Sequence, residues 1–241
     1  MRGLVLAAGR GSRMLALTGD RPKCFVELHG RPLIEWQIGA LREAGVKDIA
    51  IATGYRNDAF TRTDVTYIHN PRWAETNMVA TLACAKEWLL GDTCIVSYSD
   101  IVFEPPIARK LISADADIAM TYDTDWLAQW SARFDDPLSD AETFRLNPDG
   151  SIREIGKKPT SLADIEGQYM GLLRFTPAGW RQIEEHLRDK NVDRLDMTSL
   201  LNGLLQSGHK VVGVPVEGGW FEVDSARDLE VATRGWKQHA G

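Results

Sequence analysis

Apolar positions along the chain keep two rhythms. Mainly apolar runs of strand length stand at residues 3–8, 48–53, 65–69, 93–99 and 118–122. Between them, apolar residues return every three or four positions. Leu33, Ile34, Trp36, Ile38, Leu41 and Ala44 mark one such helix, opened by Pro32 and stopped by Gly45. Residues 78–90 mark a second, with Asn77 as its N-cap. Strands alternating with helices predict a parallel or mixed sheet covered by helices on both faces.

The rhythm breaks in the middle of the chain. Residues 123–142 are rich in Asp and Trp and contain Pro137, which predicts a substrate-facing insertion or lid. Asn147-Pro148-Asp149-Gly150 reads as the turn of a hairpin, so the acceptor-side insertion extends to about residue 160. Helices at 177–188 and 197–207, strands at 210–216 and 220–223, and a closing helix at 226–236 complete the chain. No repeat or linker divides it, and 241 residues fit a single domain, 1–241.

Composition narrows the classes. A net charge of -6 argues against nucleic-acid binding, although a local Arg and Lys cluster can still receive an anionic small molecule. Cys24, Cys84 and Cys94 are odd in number and widely spaced. They predict reduced, partly buried thiols and a cytoplasmic protein. No apolar run approaches membrane-spanning length, and no membrane partner is expected.

The most informative segment follows the first strand: Leu6-Ala7-Ala8-Gly9-Arg10-Gly11-Ser12-Arg13-Met14. Glycines let a backbone approach a phosphate and turn its amides toward it. Arg13 can then grip the phosphate. No Gly-Lys-Ser/Thr follows, so this is not a P-loop, and a third glycine is missing for a dinucleotide fingerprint. Alone, Gly-x-Gly is equally at home in a tight turn.

Arg21-Pro22-Lys23 stands a short way downstream. With this pair in place the chain resembles the nucleotidyltransferases typified by sugar-1-phosphate nucleotidylyltransferases and small cytidylyltransferases. The resemblance implies an α/β fold with a Rossmann-like, mostly parallel sheet of the nucleotide-diphospho-sugar transferase type. It implies that Leu6, Ala7, Ala8, Gly9, Gly11 and Ser12 hold the triphosphate. Arg13 and Lys23 become the catalytic cations, balancing charge where two anions must meet.

Asp100 ends the run Ile95-Val96-Ser97-Tyr98-Ser99-Asp100, and Asp224 ends Trp220-Phe221-Glu222-Val223-Asp224. Ligands of open α/β sheets collect at such strand ends. In the resembled family two such aspartates hold a divalent metal, so Asp100 and Asp224 are the expected Mg²⁺ ligands, with Glu222 a lesser candidate. Each could instead be a helix cap.

Glu75-Thr76-Asn77-Met78-Val79-Ala80-Thr81-Leu82 looks like the base-side segment of choline-phosphate and phosphonate cytidylyltransferases, which adds Asn77, Thr81 and Ser99 to the nucleotide side. Gly167-Gln168-Tyr169-Met170-Gly171 and Leu195-Asp196-Met197-Thr198 also look like that branch. The expected partners are CTP and a small phosphonate, with Mg²⁺ as cofactor and pyrophosphate as product. For the acceptor, Arg133, Asp140, Gln168 and Tyr169 are the candidates. Trp126, Trp130 and Tyr169 could wall a quaternary ammonium, with Asp140 or Glu142 adding charge. Arg133, Lys157 and Arg174 could instead bind a carboxylate, as in phosphonoformate. Packing of the tryptophans is the third alternative. Substitution of Arg133 or Asp140 is expected to alter acceptor choice more than CTP affinity. The five histidines show no metal or triad spacing.

Rival readings keep the fold: a choline-phosphate enzyme, a sugar-1-phosphate nucleotidylyltransferase using UTP or dTTP, or a non-catalytic nucleotide-binding module. A homodimer, with tryptophans at its interface, stays open.

Overall fold

The computed structural model describes residues 1–11, 14 and 18–236. Seven strands form the central sheet: β1 Arg2–Ala7, β4 Asp48–Thr53, β5 Thr66–His69, β6 Cys94–Tyr98, β8 Ile118–Asp123, β11 Gln168–Phe175 and β12 Val212–Val216. Their spatial order is β12-β8-β11-β6-β1-β4-β5. β1 pairs in parallel with both β4 and β6, whereas β11 runs antiparallel to both β6 and β8. This is the mostly parallel sheet the alternation predicted, with one reversed strand.

Side chains alternate across the sheet as the two-residue period requires. Leu4 and Leu6 of β1 join the core under α2 Met78–Cys84, α3 Lys86–Gly91, α6 Pro177–Leu187 and α7 Met197–Gln206. Val5 and Ala7 join the core on the other face, under α1 Leu33–Glu43, α4 Pro105–Ile112 and α5 Trp126–Arg133. A third cluster joins Val26, Leu28, Val102 and Val223 to Ala232 of the closing helix α8 Ala226–Gly235. Short pairings complete the fold: β2 Glu27–Leu28 with β3 Arg31–Pro32, β7 Ile101–Phe103 with β13 Trp220–Glu222, and the hairpin β9 Phe144–Leu146 with β10 Ile152–Ile155.

Three local differences from the pattern have physical causes. The helix expected at 78–90 is two, broken where Ala85 leaves helical geometry at ψ 17. Residues 126–133, expected within a lid, form α5 because Trp126 and Trp130 are buried against the sheet. β11 is hidden from strand reading because it bulges: its pairing with β8 shifts between Tyr169 and Leu173, around Gly171 at φ +79. Trp236 is buried as well, so no tryptophan at 126, 130 or 236 offers an exposed interface. No helix among the described residues is long and apolar enough to cross a membrane.

The chain runs outward from β1 through β4 to β5 and then returns to the other side of β1 at β6. Strand order therefore reverses at the β1–β6 boundary, where open α/β sheets bind ligands. Because β11 is reversed, its first residues, Gln168 and Tyr169, reach the same sheet edge.

Candidate active site

Two cavities open at that edge, and Met78 lines both. The smaller, about 130 Å³, is lined by Leu6, Ala8, Gly9, Trp73, Thr76, Asn77, Met78 and Thr81. Its floor is backbone and small side chains from the end of β1. Its wall is the start of α2, where Asn77 Oδ1 accepts from the Met78 amide. A buried residue behind it, Asn70, sets this wall: its Nδ2 donates to Thr76 Oγ1 and Thr81 Oγ1, both at 3.0 Å. Asn70, Trp73 and Met78 were not singled out from the sequence. Only the Asn70-Pro71 turn after β5 hinted that this corner is organised.

Of the residues expected on the nucleotide side, Leu6, Ala8, Gly9, Asn77 and Thr81 line this cavity. Ala7 points into the core on the opposite face, as its place in β1 requires. Ser99 lines neither cavity. Ser12 and Arg13 lie outside the described residues. Gly11 is bound to its role by packing. It sits at φ +71, and a Cβ there would come within 2.6 Å of Lys23 Cβ. The glycine thus leaves room for the lysine stem.

Lys23 is buried, and its Nζ donates to Asp100 Oδ2 at 2.8 Å and to Asp224 Oδ1. Burial alone would lower the ammonium pKa, but Asp100 and Asp224 together raise it above the ordinary lysine value. One cation therefore meets both carboxylates contributed by distant parts of the chain. Asp100 and Asp224 offer the kind of oxygen donors a hard divalent cation takes. Asp100 Oδ1 is buried without a hydrogen-bond partner, and the two carboxylates converge on a single point charge. No cluster of three or more His, Cys, Asp or Glu suited to a metal occurs among the described residues. Two hard oxygen donors, with phosphate and water completing the shell, match how Mg²⁺ binds.

The larger cavity, about 370 Å³, is lined by Tyr98, Trp130, Tyr169 and Trp220 and by the carboxylates of Asp140, Glu142, Asp196 and Glu222. Among the described residues, no lysine or arginine lines it. Tyr98 and Tyr169 meet edge to face with centroids 5.6 Å apart. Gly171 permits this, since a Cβ there would come within 2.8 Å of the Tyr98 ring. Burial raises the Glu142 carboxyl above the usual carboxylate range, and nearby Asp196 adds to the rise. Gln168 is a clamp: its Nε2 donates to Glu142 O at 2.6 Å while its Oε1 accepts from the Glu142 amide at 3.2 Å.

Asp140, Gln168 and Tyr169 thus reach the larger cavity as expected. Arg133 does not. It lies behind the wall, paired with Asp228 and Glu222. Lys157 pairs with Glu154 at the surface, and Arg174 donates to Ala116 O. Trp126 packs in the core, while Trp130 contributes to the cavity wall. Glu142, Asp196, Thr198 and Trp220 complete that wall. Glu142 alone among them had drawn attention for its charge.

Comparison with known proteins identifies the family. Residues 3–208 match the family model described as "MobA-like NTP transferase domain". The chain is 37% identical to a CTP:phosphoglutamine cytidylyltransferase of Campylobacter jejuni, over 96% of this chain and 98% of the relative. It is 31% identical to a 2-aminoethylphosphonate cytidylyltransferase of Lancefieldella rimae, over 44% of this chain and 48% of the relative. Its fold matches the inositol-1-phosphate CTP transferase of T. maritima, with a TM-score of 0.77, 20% identity, and coverage of 100% of this chain and 98% of that one. The chain belongs to the MobA-like NTP transferase family and is a nucleotidyltransferase.

Proposed function

We propose that the protein is a magnesium-dependent cytidylyltransferase that joins the CMP of CTP to a small phosphonate or phosphate carrying an ammonium group. The observation that carries the reading is the larger cavity, with four carboxylates, four aromatic rings and no basic side chain among the described lining residues. A cation is the ligand such a lining favours, through Coulomb attraction and ring faces together. An aminoalkyl phosphonate fits. Phosphonoformate fits poorly, because its carboxylate would face Asp140, Glu142 and Asp196, and the nearest guanidinium, Arg133, is already held by Glu222 and Asp228. Use of CTP is supported by the end-to-end relative, and the acceptors named for both relatives carry an amine.

An acceptor oxyanion attacks the α-phosphorus of CTP in line. The new bond joins that oxygen to phosphorus, and the bond to the bridging oxygen of pyrophosphate breaks. The acceptor arrives deprotonated, so no general base is needed, and none of the described histidines lines either cavity. Lys23 supplies fixed positive charge where the anions meet. Asp100 and Asp224 would hold Mg²⁺, which when bound neutralises charge on the phosphates and the leaving group.

A second reading is phosphoglutamine as acceptor, favoured by identity along the whole chain. Its α-ammonium suits the same wall, whereas its α-carboxylate meets the same mismatch there as that of phosphonoformate. The test is pyrophosphate release with and without Mg²⁺, with CTP, UTP, ATP and dTTP as donors. Acceptors are 2-aminoethylphosphonate, phosphocholine, phosphoglutamine, phosphonoformate, 2-hydroxyethylphosphonate and glucose 1-phosphate. Turnover confined to CTP and an ammonium-bearing acceptor is the expected result. Preference for phosphonoformate or glucose 1-phosphate would overturn it.

A further inference from the structure

The site has a second layer with an unusual composition. Arg133 and Asp228 are buried together, with side chains 2% and 3% exposed. Arg133 Nε donates to Asp228 Oδ1 at 2.8 Å, and Arg133 Nη2 meets Glu222 Oε2 at 2.7 Å. Asp228 uses its other oxygen to accept from the backbone amide of Asp224 at 3.0 Å. One guanidinium therefore touches the cavity carboxylate Glu222 directly and reaches Asp224 through one intervening carboxylate. Four residues earlier on the same face of α5, Gln129 holds the backbone between them. Its Nε2 donates to Trp220 O at 3.3 Å and its Oε1 accepts from the Glu222 amide at 3.2 Å.

Fold stability is a weak reason for this arrangement. Burying a guanidinium and two carboxylates incurs a desolvation penalty that apolar packing would avoid. Asp228 could serve merely as a first-turn acid of α8, whose cap Ser225 accepts from the Asp228 amide. That duty requires neither burial nor an arginine partner, and it does not reach back past the cap to Asp224.

The geometry points to Arg133 and Asp228 as positioning residues of the active site: Arg133 fixes Glu222 in the acceptor wall, and Asp228 fixes the backbone that aims Asp224. The inference rests on the metal-dependent transfer proposed above. Arg133 acts through these partners and touches no substrate, in contrast to the acceptor contact expected from its sequence position.

Two conservative variants test it, Asp228→Asn and Arg133→Lys. A lysine ammonium lacks the planar fork needed to hold two carboxylates at once. The readouts are Mn²⁺ binding to the protein–CTP complex by electron paramagnetic resonance, metal-free CTP binding by calorimetry, and kcat and KM for 2-aminoethylphosphonate. Asp228→Asn should weaken Mn²⁺ binding at least about fivefold and lower kcat at least about tenfold, with metal-free CTP affinity within about twofold of the wild type. Arg133→Lys should show the same metal defect together with a raised acceptor KM. Unchanged Mn²⁺ binding in both variants would overturn the inference. So would an equal loss of metal-free CTP binding, which would mark a general loss of structure. A wild-type CTP complex that binds no Mn²⁺ would instead overturn the metal reading itself, and with it this dependent step.

Discussion

The two cavities on either side of Met78 are built on opposite plans. The nucleotide side is short-range: Leu6, Ala8 and Gly9 come from one strand end, and Trp73 through Thr81 from one turn and helix start. Its described lining residues are all uncharged. The acceptor side draws on widely separated segments, from Tyr98 through Trp130, Glu142 and Tyr169 to Asp196 and Glu222, and its lining is charged and aromatic. On the proposed reading, the triphosphate shared by the family would meet this local corner beside Lys23. The acceptor varies, and side chains on separate elements can vary independently. On that reading, recognition of the common substrate would rest on local chain geometry and discrimination on the tertiary fold.

The junction of the two plans should be the most sensitive place. Asp100→Asn and Asp224→Asn each remove one of two carboxylates that meet Lys23. Each should lower kcat about a thousandfold, roughly 4 kcal/mol of transition-state stabilisation, with KM for CTP changed far less. Wild-type kcat in either variant would show that the pair is not the metal centre.

Lys23→Met should cost about a hundredfold in kcat, in the range of losing one preorganised donor. It also leaves Asp100 and Asp224 facing each other without their ammonium. Nucleotide-free Lys23→Met protein should therefore bind Mn²⁺ more tightly than nucleotide-free wild type. Weaker binding would mean that the lysine does not stand in for the metal. Gly11→Ala should give a related, smaller loss, about tenfold in kcat, because a side chain at φ +71 is strained and its Cβ collides with the Lys23 stem. A wild-type rate would remove the packing role of Gly11.

These contrasts explain what could be read from the chain. The sheet and its flanking helices were legible because each signal lies within a few residues. Strand periodicity gave β1, β4 and β6, and β1 carries the loop glycines. Gly11 was expected to serve phosphate approach, yet its closest neighbour is Lys23 Cβ, a contact no spacing rule reveals. The acceptor wall was only half legible. Asp140, Gln168 and Tyr169 were singled out and do line it, but Asp196, Thr198 and Trp220 enter through α7 and β13, whose contacts are purely tertiary. Arg133 was misplaced for a related reason. Its charge is visible in sequence, whereas its two partners, Glu222 and the buried Asp228, 89 and 95 residues away, are not. β11 escaped notice because the Gly171 bulge disturbs its two-residue period.

On the acceptor side the effects should be smaller and selective. Glu142→Gln and Asp196→Asn should each raise KM for 2-aminoethylphosphonate about tenfold, with KM for CTP unchanged, as expected for removing one partly buried charge partner. The same substitutions should leave 2-hydroxyethylphosphonate nearly unaffected, since it has no ammonium to lose. Equal losses with both acceptors would mean that these carboxylates shape the wall rather than recognise charge.

The smallest effect, a pH dependence, separates those two roles without a mutation in the wild-type case. Glu142 is raised above the usual carboxylate range by burial first and by Asp196 second. A carboxyl raised on folding holds its proton more tightly in the native state than in the unfolded one. Its ionisation therefore costs stability, which is gained as pH falls through the native pKa and lost as pH rises through it. Binding has the opposite sign, because an ammonium ligand prefers the ionised form. KM for 2-aminoethylphosphonate should rise about threefold as pH drops through that raised range. The hydroxyethyl analogue reports the titration of the phosphonate group itself, so the ratio of the two KM values isolates the wall. That ratio should fall with increasing pH in the wild type and flatten in Glu142→Gln. A ratio constant across the range would assign recognition of the amine to Asp140, Asp196 or Glu222 instead, leaving Glu142 as the residue that Gln168 clamps to shape the cavity.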